Sequence, residues 1–150
     1  MDTTTQTDNC PLSMWTVMIY FAADNDLDEV AFQNLQLIKE AGSNHELNVI
    51  AQLDTRGIGK TIRFRLRDKR TTLNEDVLPP AKDEVNTGDP GSLIDFVTWA
   101  MKEFEAERYM LIIWGHGKGW ESATDSHVLA HRATALSTDA VIINKAQNPA

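Results

Sequence analysis

Tyr109-Met-Leu-Ile-Ile-Trp-Gly-His-Gly-Lys-Gly-Trp120 is the stretch on which the reading of this chain turns. Six consecutive apolar residues without polar alternation predict a strand buried on both faces, as in a parallel sheet flanked by helices. The run breaks at Gly115, and glycines at alternate positions flank His116 and Lys118, so the backbone there can approach a ligand closely. In open α/β sheets ligands bind just beyond the carboxyl ends of the strands. His116 falls at such an end and is the first candidate for a functional side chain.

Working outward from this strand, residues 14–21 form a second run suited to a buried strand, rich in aromatic and β-branched residues. Asp26 and Glu29 then have the spacing of a helix N-cap and its reciprocal partner. Leu27, Ala31, Leu35 and Ile38 continue at helical spacing up to Gly42, which predicts a helix over 27–41 with glycine just past its end. Residues 47–53 are the next strand, giving a right-handed strand–helix–strand unit. Over 61–67, Ile62, Phe64 and Leu66 alternate with Arg63, Arg65 and Arg67, the pattern of an antiparallel or edge strand with one wet face. Residues 69–86, with Pro79-Pro80 and mixed charges, read as a turn and an irregular excursion.

Asp89-Pro90 supplies a capping residue and a first-turn proline. Leu93, Val97, Ala100 and Phe104, flanked by Phe96 and Met101, make one helical stripe, so a helix over 90–106 is expected to pack on the sheet. Past Trp120 the pattern weakens. Residues 126–136 suit a short helix, and 140–143 a short apolar run that can begin a further strand.

A chain of 150 residues can bury one sizeable core, and 42% hydrophobic with 24% charged residues is an ordinary globular composition. The net charge of −8 leaves no basic surplus for nucleic acid or anionic membrane. No apolar run reaches the ~18 residues of a spanning helix. Residues 1–13 lack the basic start and apolar centre of a secretory signal and read as a disordered leader. The compartment stays open between the cytoplasm and secretion as a processed chain. Cys10 is the single cysteine, so no internal disulfide can form.

An isolated histidine is more often structural or merely exposed than catalytic. His116 stands out because it follows a buried strand and, with an unperturbed pKa of about 6.5, exchanges protons near neutrality. Gly117 beside it offers an unencumbered N–H able to hold an oxyanion. Three other motifs weigh less. Gly59-Lys60-Thr61 ends like a phosphate-binding loop, but Asp54 stands where glycine is required and a strand follows where a helix is needed. Asp24, Asp26 and Asp28 open like a calcium loop, yet Glu29 and Leu35 occupy the positions of the obligatory glycine and bidentate carboxylate, so helix capping fits better. His127 and His131 are four apart without the glutamate of a zinc-protease helix.

Three segments, residues 15–28, 84–99 and 108–120, together resemble the clostripain family of cysteine endopeptidases, grouped with caspases, gingipains, legumain and separase. The similarity covers 14–120, read as the N-terminal half of a caspase-like peptidase domain, with 121–150 a poorly matching tail that is either disordered or the start of the next strand. The resemblance implies an α/β fold, a caspase-like α/β/α sandwich with a mostly parallel sheet, incomplete in this chain. It also implies a Cys-His dyad cleaving peptide or protein substrates, often after Arg or Lys. By position His116 is the dyad histidine and Gly117 the backbone oxyanion donor, while Asp24 and Asn25 lie adjacent to substrate. Calcium dependence occurs in some members, and the resemblance assigns no ligands for it here.

The chain departs from the family at the nucleophile. No cysteine follows His116, Val141 stands in the echo Asp139-Ala140-Val141 where the family has its cysteine, and Cys10 precedes the first strand. Three explanations stay open: a truncated or frame-altered piece, a light chain beside a cysteine-bearing C-terminal chain, or a relative without activity. The leading expectation is the histidine-bearing part of a clostripain-like peptidase, inactive alone. Its rival is a non-catalytic binding module that keeps the sandwich. A nucleotide-binding α/β protein is third, disfavoured by Asp54. An incomplete sheet exposes the edge of the 109–114 strand, which predicts self-association.

Overall fold

The computed structural model describes residues 12–56, 59–116 and 139–144. Its elements are β1 (Ser13–Ala23), α1 (Asp28–Ala41), β2 (Leu47–Thr55), β3 (Lys60–Arg65), α2 (Leu73–Asp76), β4 (Val77–Asp83), α3 (Pro90–Glu103), β5 (Ala106–Trp114) and β6 (Asp139–Asn144). They build one sheet in the order β4-β3-β2-β1-β5-β6. The parallel character lies in the centre, where β1 pairs with β2 and with β5. β3, β4 and β6 add antiparallel partners on the two flanks.

The two apolar runs predicted to be buried strands are the central pair. Because side chains alternate along a strand, β1 sends Ile19, Phe21 and Ala23 to one face and Met18 and Tyr20 to the other. The first face packs on α1 through Ala31 and Leu35, together with Val49, Ala51 and Leu53 of β2 and with Phe64 and Leu66. The second packs on α3 through Phe96 and Ala100, together with Ile50, Tyr109, Leu111 and Ile113. A helix on each face of one sheet is the α/β/α sandwich. At about 25 cal/mol per Å² of apolar surface removed from water, these two layers are the main stabilising contribution.

Helix ends follow the sequence in two places and depart from it in one. Asp89 caps α3 by accepting the Gly91 N–H at 3.0 Å, with Pro90 in the first turn. Gly42 closes α1 at φ 60°, its N–H donating to the Ile38 carbonyl at 3.2 Å. The start of α1 does not use Asp26 as a cap: Leu27 stands at the N-cap with no side-chain hydrogen bond. The turn is made instead by Asn25, whose amide donates to the Ala22 carbonyl and whose Oδ1 accepts the Leu27 N–H, both at 2.9 Å.

The segment expected to be irregular, 69–86, contains α2 and β4. Thr72 and Glu75 form a reciprocal capping box for α2, and β4 pairs antiparallel with β3. Pro79 and Pro80 fall on the outer strand where β4 slips register against β3, between the Thr61–Lys82 and Arg63–Leu78 pairings, so their missing N–H groups are tolerated. β3 is therefore an interior strand, and its arginine face is not uniformly wet. Arg63 is buried; it donates to Gln52 Oε1 and Asp95 Oδ2 at 2.8 Å each and stacks over Trp99 at 4.2 Å from the ring centroid.

The edge of β5 is also not open. β6 pairs along it from Arg108 to Ile113, so the strand suggested by residues 140–143 forms and runs antiparallel.

Candidate functional site

β1 leads through α1 on one face to β2, and the chain later returns through α3 on the other face to β5, on the opposite side of β1. The carboxyl ends of β1 and β5 therefore flank a topological switch point, where the connections diverge and leave a crevice. Phe21 and Trp114 are the last paired residues of these strands, with their rings 5.2 Å apart.

Beyond this pair the two chains separate, and His116 and Asp26 bring them back together. His116 Nε2 lies 2.6 Å from Asp26 Oδ1. The pair is open to solvent, with side chains 49% and 76% exposed respectively. The hydrogen bond from His116 holds the Asp26 carboxyl below its usual range, helped by a backbone hydrogen bond and by the charges of His116 and Arg56. Asp26 lies two residues before α1, whose first turn carries Asp28 and Glu29, so carboxylates gather at the positive end of the helix.

Asp24 is exposed just past β1, and the Asn25 side chain is committed to its local turn. Gly117 and Cys10 lie outside the described residues, as do His127 and His131. Sequence reading assigned Asp26 to capping. The partner it takes is 90 positions away, and only the adjacency of parallel β1 and β5 reveals it.

A second carboxylate group lies at the end of β2. Asp54, 2% exposed, is pushed up to about 6 by burial and by the nearby charges of Asp24 and Glu84, against hydrogen bonds from Thr87 and Thr61. Burial also raises Tyr20 above its usual value, with Asp54 and Asp89 acting in the same direction; its hydroxyl donates to the Thr87 carbonyl at 3.2 Å. On the α3 side, a cavity of ≈ 270 Å³ is lined by Gln52, Arg63, Asp89 and Asp95 among others. Among the described residues no group of three or more His, Cys, Asp or Glu is placed to hold a metal ion.

The model of the clostripain family matches residues 19–140. The chain belongs to the clostripain family. Clostripain of Hathewaya histolytica is 26% identical over 123 residues, which are 69% of this chain and 23% of that protein. The chain therefore spans about a quarter of the length of this curated relative.

Two solved members of the clostripain family share the fold. The inactive zymogen of a C11 protease from Parabacteroides distasonis superposes with a TM-score of 0.61 at 28% identity, over 75% of this chain and 34% of that one. A secreted C11 cysteine protease from Bacteroides thetaiotaomicron, solved with an irreversible peptide inhibitor, gives 0.57 at 29% identity, over 72% and 30%. These are cysteine proteases, and the caspase-like sandwich is the frame in which His116 and Asp26 meet.

Proposed function

We propose that this chain is the histidine-bearing part of a clostripain-like cysteine endopeptidase, with His116 as the dyad histidine and the nucleophilic sulfur contributed from outside these 150 residues. The observation that supports it most is the place of His116: at the carboxyl end of β5, beside the switch point, on a half-exposed side chain. Family membership supplies the chemistry, and the inhibitor-bound relative supports a peptide as substrate. Cleavage after Arg or Lys belongs to the same reading.

In this mechanism the cysteine thiolate attacks the scissile carbonyl carbon, and the negative charge on the carbonyl oxygen falls to backbone N–H donors, Gly117 among them. The C–N bond breaks as protonated His116 gives its proton to the leaving amine. Neutral His116 then takes a proton from water, whose oxygen attacks the thioester and releases the acid and the thiolate. Histidine suits both steps because its two protonation states lie close in energy near neutral pH.

The test is complementation. The chain is mixed with a cysteine-bearing C-terminal segment of a clostripain-family peptidase, and hydrolysis of Arg- and Lys-containing peptides is followed. His116→Ala is expected to lower the rate about 10³-fold or more. Full activity of that variant in the complex rejects the assignment. Peptide binding without cleavage by the wild-type complex is the result that a non-catalytic module predicts.

A further inference from the structure

We propose that Asp26 is the positioning residue of His116: its carboxylate takes the Nε2 hydrogen, fixes the ring in one tautomer against the start of α1, and presents Nδ1 as the working nitrogen. The inference rests on the peptidase reading and adds to it which ring atom does the work.

Asp26 is held in its ionised form by the hydrogen bond from His116, a backbone hydrogen bond and the Arg56 charge, and an ionised carboxylate only accepts. At 2.6 Å from it, Nε2 must carry the hydrogen, so in the neutral ring the lone pair sits on Nδ1. A ring able to swap tautomers spends part of its time with the wrong nitrogen facing a reactant. One fixed partner on Nε2 removes that loss.

Stability does not account for the contact. Asp26 is largely in water and His116 half so, and there an ion pair contributes little and is screened by salt. Asp26 also does not serve as the helix cap, since Leu27 stands at the N-cap without a side-chain hydrogen bond, so it forgoes a capping contact. What the carboxylate gains at this place is the orientation of an imidazole delivered by a different strand.

Long-range proton–nitrogen spectra of the ¹⁵N-labelled chain, recorded where the ring is neutral, read the tautomer directly. Wild type is expected to show His116 as the Nε2–H form, Asp26→Ala a mixture, and Asp26→Asn, whose Oδ1 still accepts, an intermediate result. A hydrogen on Nδ1 in wild type, or a spectrum unchanged by Asp26→Ala, overturns the proposal.

In the complemented peptidase, Asp26→Ala is expected to lower kcat about tenfold to a hundredfold at unchanged KM, with Asp26→Asn recovering part of the loss. If His116→Ala abolishes cleavage while Asp26→Ala keeps full kcat, positioning fails and the peptidase reading stands. If His116→Ala keeps full activity, the peptidase reading fails first, and the positioning of a working nitrogen falls with it.

Discussion

Asp54 is the described carboxylate whose folded environment works most plainly against its charge. Burial raises it to about 6, with the charges of Asp24 and Glu84 adding to the effect. Between the ordinary value of 3.8 and about 6 the folded chain therefore holds a proton that the unfolded chain has released. Stability falls as pH rises through that window and stays lower above it. Asp54→Asn keeps the shape and removes the titration. The variant is expected to be more stable than wild type by up to about 3 kcal/mol at pH 7.5 and equal to it near pH 4, as read from urea melts at the two pH values; no gain at pH 7.5 contradicts the assignment. His116 was legible from sequence because an uninterrupted apolar strand runs into it. Asp26 was not, because a carboxylate before a helix looks the same whether it caps the helix or reaches a side chain from a neighbouring strand.

One clamp fastens α1 to the segment that joins β3 to β4. Lys39 Nζ donates to the Asp68 carbonyl at 3.1 Å, to Thr71 Oγ1 at 2.7 Å and to Asp76 Oδ2, while Arg67 Nε donates to Asp76 Oδ1 at 2.9 Å. Burial would raise Asp76, but hydrogen bonds from Lys39, Thr71 and Arg67 prevail and hold it below its usual value. Its contribution is in place above the ordinary carboxylate range and is lost as pH falls through the lowered value. Asp76→Ala strands a buried ammonium and is expected to cost about 3–5 kcal/mol at pH 7, measured by the urea midpoint; a loss below 1 kcal/mol would remove the clamp from the account. Gly42→Ala acts on the same junction. Its φ is +60°, and a Cβ would come within 2.7–2.8 Å of the Arg67 and Asp68 backbone, so about 2–4 kcal/mol is expected. Gly42 and Asp89 were readable because caps obey local geometry. β4 was not: Pro79-Pro80 argues against a strand unless that strand is known to lie at an edge, a fact of topology rather than of local sequence. The burial of Arg63 was hidden for a similar reason, since Trp99 and Asp95 come from a helix more than thirty residues away.

At the scale of the whole molecule, and on the proposed peptidase reading, the flank of β5 decides how a nucleophile can arrive. β1 already holds one side of β5 and β6 the other. β6 runs antiparallel, with Asp139 opposite Ile113 and Asn144 opposite Arg108, so its carboxyl end points away from His116. A strand delivering a thiol to His116 from its own carboxyl end must run parallel to β5, and the β5 edge is the direct place for it. Such a strand competes with β6. Removing residues 139–144 is thus expected to have two effects. Alone, the shortened chain exposes the β5 edge and self-associates more strongly than the full chain, as measured by light scattering. With a cysteine-bearing segment present, it binds that segment at least about tenfold more tightly, because the six residue pairings of β6 no longer have to be broken first. Isothermal titration of both forms against one segment decides the matter: equal affinities mean that the second chain docks without displacing β6, and the sulfur then reaches His116 from above the sheet instead of along its edge.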